Sequence, residues 1–141
     1  MGLPDLAEIE RKVRELAALI GATGYLLPTF GRSEDGARPH IEADAAALHY
    51  VVVERGKELE HVTTCDIDEL LWHVFQSVTF DLASDFAVKH RVEGRDFRRT
   101  LFSKQLELLA ALSPEWARRE ALYQKGVLYR NPYDDTTDAR P

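Results

Sequence analysis

An α+β fold is the class that this sequence predicts, with an N-terminal helix, an antiparallel β-meander or hairpin, and then about three helices packed on the sheet. Three patterns predict it: helical spacing of apolar residues near the N-terminus, one run rich in β-branched residues, and helical patterns through the second half. The predicted strands are grouped in the first half of the chain. In βαβ units, by contrast, strands alternate with helices along the chain.

The first helix is predicted from Pro4 to Ile20, with Pro4 in its first turn and Gly21 at its end. Apolar residues recur there at helical spacing, with charged residues between them: Leu6, Ile9, Val13, Leu16, Leu19 and Ile20. A short edge strand is predicted within residues 24–28, and a turn within 31–39.

The strongest strand pattern covers residues 48–54, where β-branched and aromatic side chains dominate. Residues 40–44 predict a strand before it. Residues 58–64 alternate in a way that suits a return strand after a short turn at 55–57. These segments together predict a β-hairpin within a three- or four-stranded antiparallel meander.

The second half predicts helices only. Asp66 and Glu69 have capping-box spacing at the start of a long helix that extends to about residue 89. A third helix is predicted over 96–112, and Ser113 and Pro114 begin a fourth that ends near residue 126 or 129. Residues 1–130 are therefore expected to form a single domain, and residues 131–141 a flexible tail.

Composition limits the kinds of partner. The 141 residues carry a formal net charge of −6, which disfavours nucleic acid and anionic membranes. The charge favours a basic protein partner, although solubility alone also explains it. A single cysteine, Cys65, indicates a reducing compartment. The N-terminus lacks signal-peptide character, and no apolar run is long enough to span a membrane, so a cytoplasmic location is expected.

Catalytic and metal-binding motifs are not apparent in the sequence. It has no glycine-rich phosphate loop, no nucleophile elbow and no paired cysteines for zinc. Cys65 precedes a predicted helix, yet no general base is identified for it. Glu69 and His73 have the spacing of a hydrogen bond on a helix surface. His49 and His61 lie on adjacent predicted strands, where a pH-sensitive or metal role and ordinary strand positions both remain open.

Charge segregation predicts a binding surface. Residues 58–88 contain seven carboxylates and no lysine or arginine, whereas residues 89–104 are mainly basic. The two stretches either neutralise each other within the domain or leave an acidic surface for a basic partner. In the second interpretation the partner-binding candidates are Glu58, Glu60, Asp66, Asp68 and Glu69.

Two carboxylates of the long helix, Asp81 and Asp85, fall on its apolar stripe at 100° per residue. A buried carboxylate needs a partner, so a structural ion pair with Arg98 or Arg99 is expected. Trp72 and Phe80 lie off the stripe, either as buried side chains or as exposed anchors for a partner.

The chain resembles immunity protein family sixty-three, whose members are encoded beside secreted bacterial toxins. The resemblance rests on LHYVVVERGKELE at residues 48–60, TT at 63–64, DELLWHVF at 68–75, DFRR at 96–99, FSKQLELL at 102–109 and the helix around Trp116. It covers residues 48–120 well and the N-terminal third loosely.

This resemblance implies an inhibitor that binds a cognate toxin stoichiometrically, is not an enzyme and needs no cofactor or metal. Because this chain is acidic, a basic toxin is the favoured partner, and a nuclease is the kind of basic toxin that this hypothesis names. An adaptor or secretion chaperone for an effector remains an alternative, and a small enzyme with a pocket at Cys65 or the histidines is a third. The oligomeric state is left open.

Overall fold

The structure is a computed structural model that describes residues 2–136. Its elements confirm the α+β prediction: an N-terminal helix, a four-stranded mixed sheet and three C-terminal helices. In chain order they are α1 (Leu6–Leu19), a 3-10 helix (Gly24–Leu26), β1 (Thr29–Phe30), β2 (His40–Ala43), β3 (Leu48–Glu54), β4 (Lys57–Thr64), α2 (Ile67–Lys89), α3 (Phe97–Leu112) and α4 (Pro114–Arg130).

The chain forms two compact units, with the boundary between Phe75 and Gln76, inside α2. The first unit contains α1, the sheet and the start of α2. The second contains the rest of α2 with α3 and α4. The expectation of a single domain over residues 1–130 stays a prediction.

The first helix begins at Leu6, two residues after the predicted start at Pro4. Asp5 is its N-cap and accepts a 2.9 Å hydrogen bond from the Glu8 amide, while the Glu8 carboxylate accepts one from the Asp5 amide. Pro4 therefore precedes the cap instead of occupying the first turn. Ile9, Val13 and Ala17 form the buried face of α1.

The sheet has the order β1-β2-β3-β4. The antiparallel meander is confirmed for β2, β3 and β4, but β1 pairs with β2 in parallel. The strand predicted within residues 24–28 is wrong: Gly24–Leu26 is a 3-10 helix, closed by a hydrogen bond from the Leu27 amide to the Gly24 carbonyl, and the edge strand is Thr29–Phe30. Gly24 has a φ of +62°, which suits a turn and not a strand.

The core of the first unit lies around the sheet. Fully buried side chains come from α1, β2, β3 and the start of α2, and the Tyr50 ring of β3 lies 6.0 Å from the His73 ring of α2. Trp72 is also buried, so for this residue the burial interpretation is confirmed. The largest fully buried side chains of this unit are Phe75, Ile9, Ile41, Leu48, Leu70, Val13 and Val74.

The helical second unit has a polar layer within its core. Gln105 of α3 donates to the carbonyl of Gln76, at 3.1 Å, and to the hydroxyl of Thr79. The Gln76 amide in turn donates to buried Glu120 of α4, at 3.5 Å, and burial raises the pKa of Glu120. The predicted serine N-cap and first-turn proline of α4 are both confirmed at Ser113 and Pro114.

Residues 131–136 contact the start of α3. Arg98 donates to the backbone carbonyls of Asn131 and Pro132, both at 2.9 Å, and Arg99 pairs with Asp135 at 2.9 Å. Both guanidinium groups also lie over the ring of Tyr133. The predicted flexible tail covers residues 131–141, and 137–141 lie outside the described residues, so its flexibility stays a prediction.

Candidate partner-binding surface

The turn between β3 and β4 positions the first two acidic candidates. Glu54 pairs with Lys57, which leaves Arg55 and Gly56 as a two-residue loop in which both φ values are positive, 53° and 75°. Positive φ at both central residues is the requirement of a type I′ hairpin turn, and glycine meets it without strain. The Gly56 amide also donates to the carboxylate of Asp35 at 2.7 Å, which holds the turn against the preceding loop.

Glu58 and Glu60 follow this turn on β4, the strand at one edge of the sheet. Both are exposed, as are most residues of β4. The β3–β4 register shifts so that Val52 pairs with Glu60 and Val53 with Glu58, which leaves Leu59 as the extra residue of a β-bulge. Leu59 is exposed on this edge, so the candidate surface combines two carboxylates with one apolar side chain.

The other three candidates lie at the start of α2. Asp66 accepts a 2.9 Å hydrogen bond from the Asp68 amide, as a side chain that caps a helix N-terminus does. Asp68 is exposed, and Glu69 accepts at 3.1 Å from His73 one turn later, as the helix-surface interpretation of that pair expected. All five candidates therefore lie in the first unit, on β4, directly before α2 or within its first turn. Their role in binding stays a prediction.

Two histidines meet on the same sheet. His49 Nδ1 lies 3.0 Å from His61 Nε2, and their rings are in edge-to-face contact. The outer nitrogen of His49 lies 2.9 Å from Asp44, and that of His61 lies 3.1 Å from Glu58. The hydrogen bond from His49 lowers the pKa of Asp44. The proximity of the two histidines was predictable from the hairpin, but their two carboxylate partners were not.

The predicted ion pair of Asp81 or Asp85 with Arg98 or Arg99 is wrong. Both aspartates are exposed, and Asp85 pairs with Lys89 at 3.0 Å along its own helix. The buried residues of this part of α2 are instead Val78, Thr79, Ala83 and Ala87. Because α2 buries alanines and a threonine here, its buried face is rotated away from the stripe that the larger apolar residues define.

Both arginines have other partners. Arg98 pairs with Asp96, the N-cap of α3, at 3.0 Å, and this pairing lowers the pKa of Asp96 to about 2. Arg99 pairs with Asp135. The sequence offered a signal for the position of Asp96, since aspartate is a preferred N-cap residue, but none for a contact 36 residues away. For Phe80, the sequence left open whether the side chain is buried or exposed, and the structure shows that it is exposed.

The third hypothesis, a small enzyme, depends on a pocket at Cys65 or at the histidines. Cys65 is exposed, and its Sγ lies 3.3 Å from the carbonyl of Ala46. Among the described residues, surface clefts lie beside α1 and β1, and the linings of these clefts include neither Cys65 nor a histidine. Within residues 2–136, no cluster of three or more histidine, cysteine or acidic side chains is arranged to hold a metal ion. No helix in that range is long and apolar enough to cross a membrane.

The fold and this surface define a small α+β protein that presents carboxylates on an exposed sheet edge and helix start. The sequence profile of the family Immunity protein 63 matches residues 44–123, which is more than half of the chain. The chain belongs to this family of immunity proteins. The match contains β3, β4, α2 and α3, and therefore all five acidic candidates. No curated protein and no solved structure matches the chain.

Proposed function

We propose that the protein binds and neutralises a cognate bacterial toxin by forming a stoichiometric complex, without catalysis and without a required cofactor. Its membership in the Immunity protein 63 family is the observation that carries this proposal. A cytoplasmic location fits the same role, because the toxin would be neutralised where it acts, and it fits a single exposed cysteine.

The contact surface in this proposal is the acidic set on β4 and the start of α2. Glu58, Glu60 and Asp68 are its main contributors, because all three are exposed, although Glu58 also contacts His61 at 3.1 Å. Asp66 is engaged in capping α2 and Glu69 in binding His73, so these two contribute charge more than direct contacts. Exposed Leu59 lies between the two glutamates and supplies an apolar contact that a partner can bury.

A toxin that fits this surface is basic. Nucleases are one class of toxin with a basic surface, because an enzyme that binds the phosphates of nucleic acid needs positive charge. An acidic inhibitor is steered toward such a surface and associates quickly at low salt. The net charge of −6 acts in the same direction over longer distances.

The experiment measures association with the toxin domain encoded in the adjacent reading frame. Glu58, Glu60 and Asp68 are changed together to lysine, and the association rate is measured at several salt concentrations. Because exposed charges contribute little to folding, the melting temperature should stay nearly unchanged while association slows at least tenfold. The matched control reverses three exposed carboxylates of the second unit, Asp81, Glu93 and Glu107, with the same change in net charge.

A slowed rate in the first variant and a normal rate in the control would support the surface. Equal slowing in both would indicate that only net charge matters. An unchanged rate in the first variant would place the interface elsewhere. A stable complex with a non-toxic effector would instead favour the adaptor or secretion-chaperone alternative.

A further inference from the structure

The two histidines of the hairpin face each other because of the β3–β4 register. His49 pairs with Thr63 and Val51 pairs with His61, so both imidazoles project from the same face at neighbouring pairs. Their inner nitrogens, Nδ1 of His49 and Nε2 of His61, are 3.0 Å apart. The hydroxyl of Thr63 lies 3.3 Å from the same Nδ1.

The hydrogen bonds of the other two ring nitrogens, the outer ones, determine whether the inner nitrogens carry a proton or a lone pair. His49 Nε2 and His61 Nδ1 each lie within hydrogen-bond distance of a carboxylate, that of Asp44 or Glu58. An ionised carboxylate only accepts hydrogen bonds, so each outer nitrogen is the protonated one. In two neutral rings the inner nitrogens then both present lone pairs. Two lone pairs at 3.0 Å repel unless a cation lies between them.

This arrangement is also the one that proteins use to hold metal-binding histidines. A metal-ligating imidazole usually donates its other N–H to a carboxylate, which fixes the tautomer and raises the basicity of the ligating nitrogen. Here both rings have such a partner. Tetrahedral zinc with Zn–N bonds of about 2.0–2.1 Å places two nitrogens about 3.4 Å apart. The observed gap needs to widen by only about 0.4 Å to match that spacing.

The surroundings favour a divalent cation. The carboxylates of Asp44 and Glu58 flank the pair, and Glu42 is the β2 neighbour of His49, although its side chain contacts His40. The pair is also accessible, because the side chains of His49 and His61 are 18% and 37% exposed. Imidazole nitrogens prefer zinc, copper and nickel over magnesium or calcium.

We propose that His49 and His61 form a two-histidine site for a divalent transition-metal ion such as Zn²⁺, which takes the place of a proton shared by the rings. Water and the Thr63 hydroxyl complete the coordination. With two protein nitrogens as its main ligands, the ion is exchangeable and is not required for folding. The site does not depend on toxin binding and its test uses no toxin, so the two proposals are tested separately even though Glu58 belongs to both.

Isothermal titration of metal-free protein with ZnCl₂ at pH 7.5 tests the proposal, in a Cys65→Ser background that removes the exposed thiol. One equivalent of zinc should bind. His49→Gln or His61→Gln should abolish this binding, and Asp44→Asn, which keeps both imidazoles, should weaken it at least tenfold. His73→Gln is the matched control, because His73 has a carboxylate partner, Glu69, but no histidine partner in the described residues, and this variant should bind zinc normally.

Binding should also fall at pH 5.5, because protons compete for the imidazole nitrogens. Zinc binding that survives both glutamine substitutions would overturn the site. An absence of binding to the parent protein would overturn it as well, and would assign the close nitrogen pair to a shared proton alone. The circular dichroism spectrum of each zinc-free variant shows whether the fold is intact, and Asp44→Asn keeps the test valid if a histidine variant does not fold.

Discussion

Replacing Asp96 by Asn tests the energy of the ion pair between Asp96 and Arg98. Asp96 is buried at the start of α3, where its carboxylate accepts from the Arg98 guanidinium and from the backbone amides of Arg98 and Asp134. Asparagine still caps a helix well, so Asp96→Asn removes the negative charge and largely keeps the cap. Asp85→Asn is the matched control, because that exposed carboxylate pairs only with Lys89, also exposed, on the same helix.

The magnitude follows from the lowered pKa. The Arg98 guanidinium, with smaller contributions from the backbone amides of Asp134 and Arg98, takes the pKa of Asp96 from the ordinary value of 3.8 to about 2. At about 1.4 kcal/mol per pKa unit, this shift corresponds to about 2 kcal/mol of stability. Because the folded-state pKa is the lower one, this stability is fully present above pH 4 to 5 and is lost as the pH falls toward 2.

The assay is urea unfolding of the parent and of both variants between pH 7 and pH 2.5. Asp96→Asn should lower the free energy of unfolding by about 2 kcal/mol at pH 7, with a difference that shrinks below pH 4. Asp85→Asn should change it by less than about 0.5 kcal/mol. A loss for Asp96→Asn that is as small as for the control, or that does not vary with pH, would refute the reasoning.

Two further stability predictions follow from single residues. Burial raises the pKa of Glu120, which means that the folded state favours the protonated carboxyl group. This contribution to stability is present at low pH and is lost as the pH rises above 4.5. Glu120→Gln should therefore raise the melting temperature at pH 8, with a smaller gain near pH 5; a destabilised variant at pH 8 would contradict this. Gly56 has a φ of +75° with open space where a Cβ would lie, so Gly56→Ala should cost about 1 kcal/mol in urea unfolding, from backbone strain alone. An unchanged midpoint would show that the turn rearranges without cost.

Local patterns in the sequence were sufficient to predict most of the fold. The hairpin was predictable because Gly56 and the alternation around it determine both the turn and the pairing of its strands. The fourth helix was predictable because Ser113 and Pro114 mark its start unambiguously. The parallel strand β1 was not predictable, since its two residues contain no periodicity and its pairing with β2 depends on the loop between them.

The buried face of α2 shows a second limit. The prediction weighted large apolar residues, which placed Asp81 and Asp85 on the buried side. The structure buries small residues there, Ala83 and Ala87, against Leu101 of α3. Alanine gives little hydrophobic signal, although it allows two helices to approach closely. The partners of Arg99 and His61 depend on contacts that chain spacing alone does not determine.

The candidate binding surface was predicted from charge alone. The structure places its five carboxylates on one sheet edge and one helix start of the first unit, with Glu58 engaged by His61. Sequence reasoning had no means to find that contact, because it depends on side-chain rotamers on β4. The contact gives Glu58 a second role, as a partner of the proposed metal site, which Glu60 and Asp68 do not share.

Co-expression with the toxin tests the central claim most directly. The toxin domain encoded in the adjacent reading frame is induced in a bacterial host, with and without this protein, and colony survival is counted. The account predicts that cells die with the toxin alone, survive when the parent protein is present, and lose protection when Glu58, Glu60 and Asp68 are all changed to lysine. Death in the presence of abundant, folded parent protein would contradict the proposed function.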